Sequence, residues 1–456
     1  MTQRAPPSGA PCIGLVGAGW PPDVGGVESH MQDLARELCA RGWRVEVLCL
    51  DTRAGLEPYG LARTEEGAIG VTRLAYGYSD HQKLGDLQHN PRTEAKALEW
   101  IENAGVELVH LHHPTGFGTG VVRRFAERVP TVMTLHDYWS LDPRGQMLDV
   151  DGHWHLRPDP VVWARSIAAT WPHLVPSGGA PSEGPDGEAI AGDEGAARAY
   201  IAYGLGSLRA ATRLVTPSAA AREVFVRAGL ERDSIEVVEN GVEVEALACE
   251  VAGLVAARAR RAPGEPLRLG ILGTVLPSKG ALELVEAWME AGLCAELEVH
   301  VHGNEPTYHG DGRYLARLRE LAAKQPGLFL HGPYAREELG AILARLDGVA
   351  APSRWEEVYG LTVREARAAG LAVLVSNAGA LPEVAARGGG LIVQRDSPGA
   401  WRRALELFAR DAKSRERWQG KRGLHDDARP RTTAEMTDQL VAVYADAIVR
   451  WRAPGK

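Results

Sequence analysis

The order of the apolar segments is the feature that most constrains how this chain folds. Short, continuous apolar runs alternate with amphipathic helical patterns, first from CIGLVG (12–17) and again from LRLGILGTV (267–275). Strands that are apolar along their whole length, with helices between them, are typical of parallel sheets covered on both faces. Because one core rarely serves more than about 250–300 residues, two such blocks in 456 residues predict two α/β domains.

We therefore predict two doubly wound, Rossmann-like domains that face each other across a cleft. The expected N-terminal domain covers 1–247 and the C-terminal domain 248–430, and an amphipathic helix within 431–456 is expected to pack back toward the N-terminal domain. Residues 140–200 interrupt the alternation, and the Gly-, Pro-, Ser- and acid-rich stretch 176–195 predicts a mobile insertion.

Composition excludes several classes of protein. The net charge of −8 comes without a basic stripe, so nucleic acid is not an expected partner. The five cysteines form no C-x-x-C pair, which favours free thiols in a reducing compartment. Neither a signal peptide nor an apolar run long enough to span a membrane is recognised, so we expect a cytoplasmic protein. Peripheral contact with the inner face of the membrane stays open.

The strongest local signal is PSRWEEVYGLTVREARAAG (352–370), in which a predicted strand, a loop with two acids and a helix follow one another. Glu357 falls in the loop and Glu365 in the second helical turn. Free N–H groups at such a helix start suit a diphosphate, and the carboxylates suit hydrogen bonds from sugar or ribose hydroxyls. Taken alone, two Glu at this spacing are also typical of a solvated loop and helix surface.

Two further strand–turn–helix segments lie in the same block. LGTVLPSKG (272–280) puts Lys279 at a helix start, where it could meet phosphate, although an exposed lysine is equally common there. SNAGALPEV (376–384) has Gly379 after a strand, which would allow the backbone to approach a ligand closely or simply form a turn.

In the first block, a Gly-rich loop follows the first strand, and Gly25 and Gly26 open its helix. The dinucleotide pattern G-x-G-x-x-G is not met, so a dehydrogenase is disfavoured. TLHDYW (134–139) places His136 after a strand, where an imidazole can hydrogen-bond a sugar or assist the reacting centre. The histidines of ELVHLHH (107–113) are interpreted as strand and cleft-wall residues, because they lack a recognisable zinc motif.

Together these segments resemble family 4 of the glycosyltransferases, which have the GT-B fold. The resemblance runs in order through PPDVGGVE, TLHDYW, VTPS, VVENGVE, LGTVLPSKG, HGPY, PSRWEEVYGLTVREA and AGALPEV. It implies that His136, Lys279 and Glu357 are catalytic: His136 beside the donor sugar, Lys279 on the diphosphate and Glu357 on the sugar hydroxyls. It assigns Glu365 to the ribose. The implied donor-binding set is Gly25, Gly26, Gly273, Thr274, Lys279, Glu357, Val358, Tyr359, Gly360, Leu361 and Glu365.

The resemblance also implies a reaction. A sugar would pass from a nucleotide diphosphate sugar to the hydroxyl of a glycan, a lipid-linked saccharide or a small natural product, with retained anomeric configuration. No cofactor or metal is expected beyond the donor itself. One position departs from the family, which usually has an Arg after the Gly of the first C-domain turn, where this chain has Thr274.

Other functions stay open on the sequence alone. A non-catalytic nucleotide-sugar-binding protein fits the missing Arg, and a GT-B nucleotide-sugar epimerase or a phosphorylase shares the architecture. An epimerase would form product without an acceptor, and a phosphorylase would need inorganic phosphate.

Overall fold

The computed structural model describes residues 11–21, 25–52, 57–77, 81–174, 182–183, 189–190, 192–257, 264–387, 389–419 and 430–453. Contacts divide the chain into two units, which are described separately. The first unit is drawn from Met1–Asp151, His155–Gly241 and Thr433–Lys456, and the second from Gly152–Trp154 and Val242–Thr432.

The first unit is built on a sheet of eight described strands. The strands of this unit are β1 Cys12–Gly17, β2 Arg44–Asp51, β3 Leu61–Glu66, β4 Ile69–Ala75, β5 Leu108–Leu111, β6 Thr131–Thr134, β7 Ser182–Glu183, β8 Ala189–Ile190, β9 Arg213–Thr216 and β10 Ile235–Val237. The sheet order is β10-β9-β6-β5-β1-β2-β4-β3, whereas β7 and β8 pair with each other. All its described neighbours are parallel except β3 and β4. Sequence reasoning missed β3, because LARTEE is an exposed edge strand without an apolar run.

Helices connect these strands. They are α1 Gly26–Ala40, α2 Pro91–Ala104, α3 Gly120–Ala126, α4 Pro160–Thr170, α5 Gly192–Ala210 and α6 Ala219–Arg227. The sequence sets several of their ends: the Asn90 side chain accepts hydrogen bonds from the first turn of α2, Pro91 occupies its first position, and Gly105 ends it in the left-handed conformation.

Two of these helices fall in the predicted insertion at 140–200. Trp163 of α4 and Tyr200 of α5 are both buried, and α4 packs against α5. The region that interrupts the alternating pattern therefore contains α4 and the first part of α5, which pack against each other. Most of the segment 176–195, which was predicted to be mobile, lies outside the described residues.

The second unit has a six-stranded parallel sheet. Its strands are β11 Leu267–Leu272, β12 Leu297–His302, β13 Leu328–Gly332, β14 Gly348–Ala351, β15 Ala372–Ser376 and β16 Leu391–Val393, in the order β13-β12-β11-β14-β15-β16. Its helices are α7 Val244–Ala257, α8 Ala281–Glu290, α9 Arg313–Lys324, α10 Leu339–Leu343, α11 Leu361–Ala368, α12 Leu381–Ala386, α13 Ala400–Arg410 and α14 Ala412–Trp418. Apolar clusters cover both faces of this sheet.

The division between the units lies between Gly241 and Val242. The predicted boundary at residue 247 instead falls inside α7. Val251 of that helix is fully buried in an apolar cluster with Leu343 and Val363, so α7 packs as part of the second unit.

The last helix, α15 Thr433–Arg452, belongs to the first unit. Its residues Met436, Leu440 and Tyr444 are buried in the same apolar cluster as Leu15 of β1. None of the described helices is both long and apolar enough to cross a bilayer.

Candidate functional site

The loop between β14 and α11 carries the two spaced acids. Gly360 precedes α11 with a φ of +75°, a conformation that favours glycine and turns the chain into the helix. The side chains of Glu357 and Glu365 are both buried, so neither belongs to a solvated loop or to an exposed helix face. A buried carboxylate is stable only with hydrogen-bond or ion-pair partners.

Lys279 supplies the partner of Glu357. Its Nζ lies 2.5 Å from Glu357 Oε1 and 5.0 Å from the centre of the Trp355 ring. A Cβ on Gly280 would lie 2.1 Å from Pro352 O, so only glycine lets the turn after β11 approach the loop after β14 this closely. Residues 78 positions apart in the chain thus form one ion pair.

The Glu357 carboxylate is stabilised in its charged form. Burial by itself raises its pKa, but the Lys279 ammonium and hydrogen bonds from Lys279, Ser353 and Trp355 lower the pKa below its usual value. The Ser353 hydroxyl donates to Glu357 Oε1 over 2.6 Å. At neutral pH this group is therefore a charged hydrogen-bond acceptor rather than an acid.

The turn after β15 packs against the same loop. A Cβ on Gly379 would lie 2.2 Å from Glu357 O, and the Gly379 N–H donates to Glu356 Oε2 over 2.6 Å. Arg395 donates to the other oxygen of Glu356 over 2.5 Å. Gly379 thus lets its own backbone approach the loop that carries Glu357, whereas the sequence also allowed a close approach to a ligand. This contact supports the loop.

Of the other predicted donor-binding residues, some would contact a ligand through main-chain groups and Glu365 through its side chain. The side chains of Val358 and Tyr359 are buried, so a ligand at Val358, Tyr359, Gly360 and Leu361 would meet main-chain groups at the start of α11. Glu365 lies 4.0 Å from an Arg336 guanidinium nitrogen. Burial and the charge of Glu365 raise the pKa of Tyr334 to about 12, so that phenol stays protonated.

Gly273 and Thr274 form the turn after β11. Gly273 has a φ of +113°, and a Cβ added there would meet no atom within 4 Å, so the space beside this turn is open. Its N–H donates to His302 O over 2.9 Å. A Thr at position 274 leaves this turn one guanidinium short of the family pattern.

In the first unit, Gly25 and Gly26 begin α1, with Gly25 at its N-cap in an extended conformation. A Cβ on Gly25 would lie 2.5 Å from Glu28 Oε2, whereas one on Gly26 would meet no atom of the described residues within 4 Å. Both glycines are exposed, so the backbone at the start of this helix is open to contact.

His136 lies two residues beyond β6 within a group of histidines. Its Nε2 is 3.2 Å from His112 Nδ1, and its ring centre is 5.0 Å from that of His30. The His110 ring centre is 4.0 Å from that of His112. The strand and cleft-wall interpretation of the ELVHLHH histidines was therefore incomplete, because His112 contacts the candidate catalytic imidazole directly.

Burial keeps this group uncharged. It lowers the pKa of His30 to about 4 and lowers the pKa of His136 well below its usual range, and neighbouring histidines lower the pKa of His136 further. The Nε2 atoms of His30 and His112 are shielded from solvent and have no hydrogen-bond partner in the part of the chain that the structure describes. At neutral pH, His136 can therefore donate or accept a hydrogen bond but does not carry a charge.

The neighbouring His113 behaves differently. Its Nε2 lies 2.6 Å from Asp137 Oδ2, and that carboxylate raises the pKa of His113 although burial opposes the shift. The sequence signal for this group was the H-x-H-H run at the end of β5. His30, in α1, had no local signal, because its relation to β5 and β6 depends on strand order.

Two glycosyltransferase family models match most of the chain. Residues 25–241 match the family "Glycosyl transferase 4-like domain", and residues 244–422 match "Glycosyl transferases group 1". A D-inositol 3-phosphate glycosyltransferase of Corynebacterium glutamicum (strain R) is 32% identical over 233 residues, covering 49% of this chain and 54% of the relative. The chain thus spans about half the length of this curated relative.

Solved structures agree in fold. Anabaena HepE in complex with UDP and glucose has a TM-score of 0.62 at 16% identity, covering 95% of this chain and 99% of that chain. Sucrose-phosphate synthase from Thermosynechococcus elongatus has a TM-score of 0.61 at 15% identity, covering 96% of this chain and 97% of that one. With both domain families matched in order along two parallel-sheet units, the chain belongs to family 4 of the glycosyltransferases and has the GT-B fold.

Proposed function

We propose that this protein transfers a sugar from a nucleotide diphosphate donor to an acceptor hydroxyl, with retention of anomeric configuration. The observation that carries the proposal is the partly buried Lys279–Glu357 pair beside the start of α11. An ammonium and a helix N-terminus together suit a diphosphate, and a charged, buried carboxylate suits sugar hydroxyls.

The pair also suggests how the donor is received. Without a ligand, Lys279 and Glu357 neutralise each other in a partly buried site. On binding, Lys279 would turn to the diphosphate and stabilise the charge that develops on the leaving group, while Glu357 would accept hydrogen bonds from the sugar. The phosphate oxygen would take the acceptor proton, because the lowered pKa of Glu357 makes its carboxylate a weak base.

Glu365 and His136 complete the proposed contacts. Glu365 would accept hydrogen bonds from the ribose hydroxyls, since its carboxylate is buried in α11, the helix that begins at the proposed diphosphate site. His136, kept neutral by burial, would hydrogen-bond the donor sugar without adding charge. No divalent metal is assigned to this donor site.

The acceptor would bind in the first unit. A cavity of about 490 Å³ there lies beside the N-terminus of α2 and is lined by polar side chains that include His81, Asp86, His89 and Arg92. Such a lining suits a polyhydroxylated acceptor of monosaccharide size. The relatives named D-inositol 3-phosphate glycosyltransferase make a phosphorylated cyclitol one acceptor to test.

The experiment first measures thermal shifts with a panel of nucleoside diphosphates in a chelator. Ligand at about 100 times its Kd stabilises the folded state by about 2.7 kcal/mol, which is a readily measured shift. The nucleotide that binds then defines a sugar donor, which is incubated with an acceptor panel that includes D-inositol 3-phosphate.

Formation of an acceptor glycoside whose anomeric configuration matches that of the donor, as read by NMR, would support the proposal. A converted sugar nucleotide formed without an acceptor would instead indicate an epimerase. Binding without turnover across the whole panel would indicate a non-catalytic nucleotide-sugar-binding protein.

A further inference from the structure

A second group of histidines lies at the free edge of the sheet of the second unit. Along β12, Val299 and Val301 are buried in the core, so His300 and His302 project from the opposite face. His331 on the edge strand β13 shares that face, and its ring centre is 4.1 Å from that of His302. The strand register therefore fixes three imidazoles in one place.

The pairing of β12 and β13 is irregular at this point. Val301 pairs with Leu330 and His302 pairs with Gly332, so His331 is the extra residue of a β-bulge. Bulges commonly re-aim a side chain at a sheet edge. His331 is exposed, whereas His300 and His302 are half-buried, which leaves one side of the group open to solvent.

The nitrogen atoms are close enough to act together. His300 Nδ1 lies 3.0 Å from His331 Nε2, and one nitrogen from each of the three rings lies within 4.8 Å of the others. Ligands of a tetrahedral zinc ion at about 2.0–2.1 Å from the metal are roughly 3.3 Å apart. The rings are stacked nearly parallel, so the exposed His331 ring must rotate for the three lone pairs to converge on one ion.

A carboxylate behind one imidazole orients it. Glu298 Oε2 lies 3.2 Å from His300 Nε2 and 3.1 Å from Arg268 Nε. A proton on His300 Nε2 is held by that carboxylate, which leaves the lone pair of Nδ1 directed toward His331. Carboxylates that hold the second nitrogen of a metal-bound histidine are a recurring feature of zinc sites.

The charges around the group neither favour nor oppose a cation strongly. The carboxylates of Glu298 and Asp347 raise the pKa of His300, and the charge of Arg268 lowers it. The charge of Arg345 lowers the pKa values of His302 and His331. Burial and the neighbouring histidines lower the pKa of His302 to about 4, so its ring is neutral and able to coordinate at pH 7. Selectivity would therefore come from the imidazoles, which prefer late transition metals to Mg²⁺ or Ca²⁺.

We propose that His300, His302 and His331 form a binding site for a divalent transition-metal ion such as Zn²⁺, with Glu298 as a positioning residue and a water molecule at the open position. The ion would join β12 to the edge strand β13. None of the three histidines is among the proposed donor-binding residues, although His302 O accepts a hydrogen bond from the Gly273 N–H. The proposal therefore does not depend on the transfer reaction or on a metal at the donor.

The test titrates the full chain, free of any polyhistidine tag, with Zn²⁺ by calorimetry and with Co²⁺ by visible absorption. We expect one ion per chain and the intense absorption of tetrahedral Co²⁺. The His331→Ala variant should abolish the Co²⁺ absorption, and since His331 is exposed, this variant should fold normally. Glu298→Gln should weaken Zn²⁺ binding about 10- to 100-fold, as loss of a supporting partner typically does.

His173→Ala removes an exposed histidine from the first unit and serves as the matched control, which should bind as the unmodified protein does. No Zn²⁺ binding at micromolar protein would overturn the proposal. So would full binding by His331→Ala, which would direct attention to the His30, His112 and His136 group instead.

Discussion

The polar groups that follow the strands are held in opposite ways in the two units. In the second unit, Lys279 and Glu357 are charged and neutralise each other over 2.5 Å. In the first unit, His30, His112 and His136 face one another, and burial keeps them neutral. In the second unit a ligand must replace an ion pair with its own contacts. In the first unit, protonation of a histidine must overcome the cost of placing a charge in a buried site.

The largest expected effect comes from breaking the charged pair. Replacing Lys279 with Ala should lower turnover by about 10²–10³-fold, or roughly 3–4 kcal/mol, because a group that stabilises the leaving diphosphate is lost. Steady-state kinetics with the donor that the thermal-shift panel selects would measure it. Lys324→Ala, which removes an exposed lysine from α9 of the same unit, is the matched control and should leave turnover unchanged. Equal rates in both variants would remove Lys279 from the mechanism.

The next largest effect is a dependence of folding stability on pH, which arises from the buried, neutral His30. The unfolded chain protonates His30 near pH 6.5, but the folded protein does so only near pH 4, so protons favour unfolding within that window. The stability that His30 contributes is present above pH 6.5 and is lost toward pH 4, by about 3 kcal/mol. Because the pKa of Glu357 is lowered from 4.5, the charged pair should weaken only at lower pH.

Hydrogen exchange at pH 7 and pH 5, read on peptides from β5 and β6 and from β14, would measure this difference. After correction for the slower intrinsic exchange at pH 5, protection should fall first in β5 and β6. His30→Gln should reduce that loss of protection, whereas His173→Gln, which changes an exposed residue, should not. An equal loss of protection in both units would show that the histidine group does not set the acid sensitivity of the first unit.

A smaller effect is expected at Glu365, whose proposed contact is with the ribose. Glu365→Gln should weaken nucleoside diphosphate binding by about 1.5–3 kcal/mol, the range for a hydrogen bond to a charged group. Calorimetry with the free nucleotide measures this directly, and Glu320→Gln on the exposed face of α9 is the control. Undiminished affinity in the Glu365 variant would contradict the assignment.

The smallest effect is a gain. Thr274→Arg would restore the family pattern beside the open space at Gly273, and we expect donor binding tighter by about 0.3–1 kcal/mol, as for a charge placed near an anion at a surface. Thr274→Ala should leave affinity unchanged. Looser binding by the Arg variant would show that the turn is closed to a guanidinium.

The sequence located the pieces of the candidate site better than their contacts. The E-x7-E spacing correctly placed Glu357 in a loop and Glu365 in a helix, and the turn glycines correctly marked the strand ends. It did not indicate that Gly379 approaches the backbone of Glu357, nor that His112 lies beside His136. Contacts of this kind depend on which strands are neighbours.

The secondary structure and the side-chain contacts of this protein therefore have different origins. Apolar periodicity and helix-start residues are local, because each strand and helix must bury its own apolar face, and they determined two parallel α/β units by themselves. The Lys279–Glu357 pair joins residues 78 positions apart, and the His300, His302 and His331 group joins two strands through a bulge. Only the tertiary structure decided these, because strand order and register fix which distant side chains share one face.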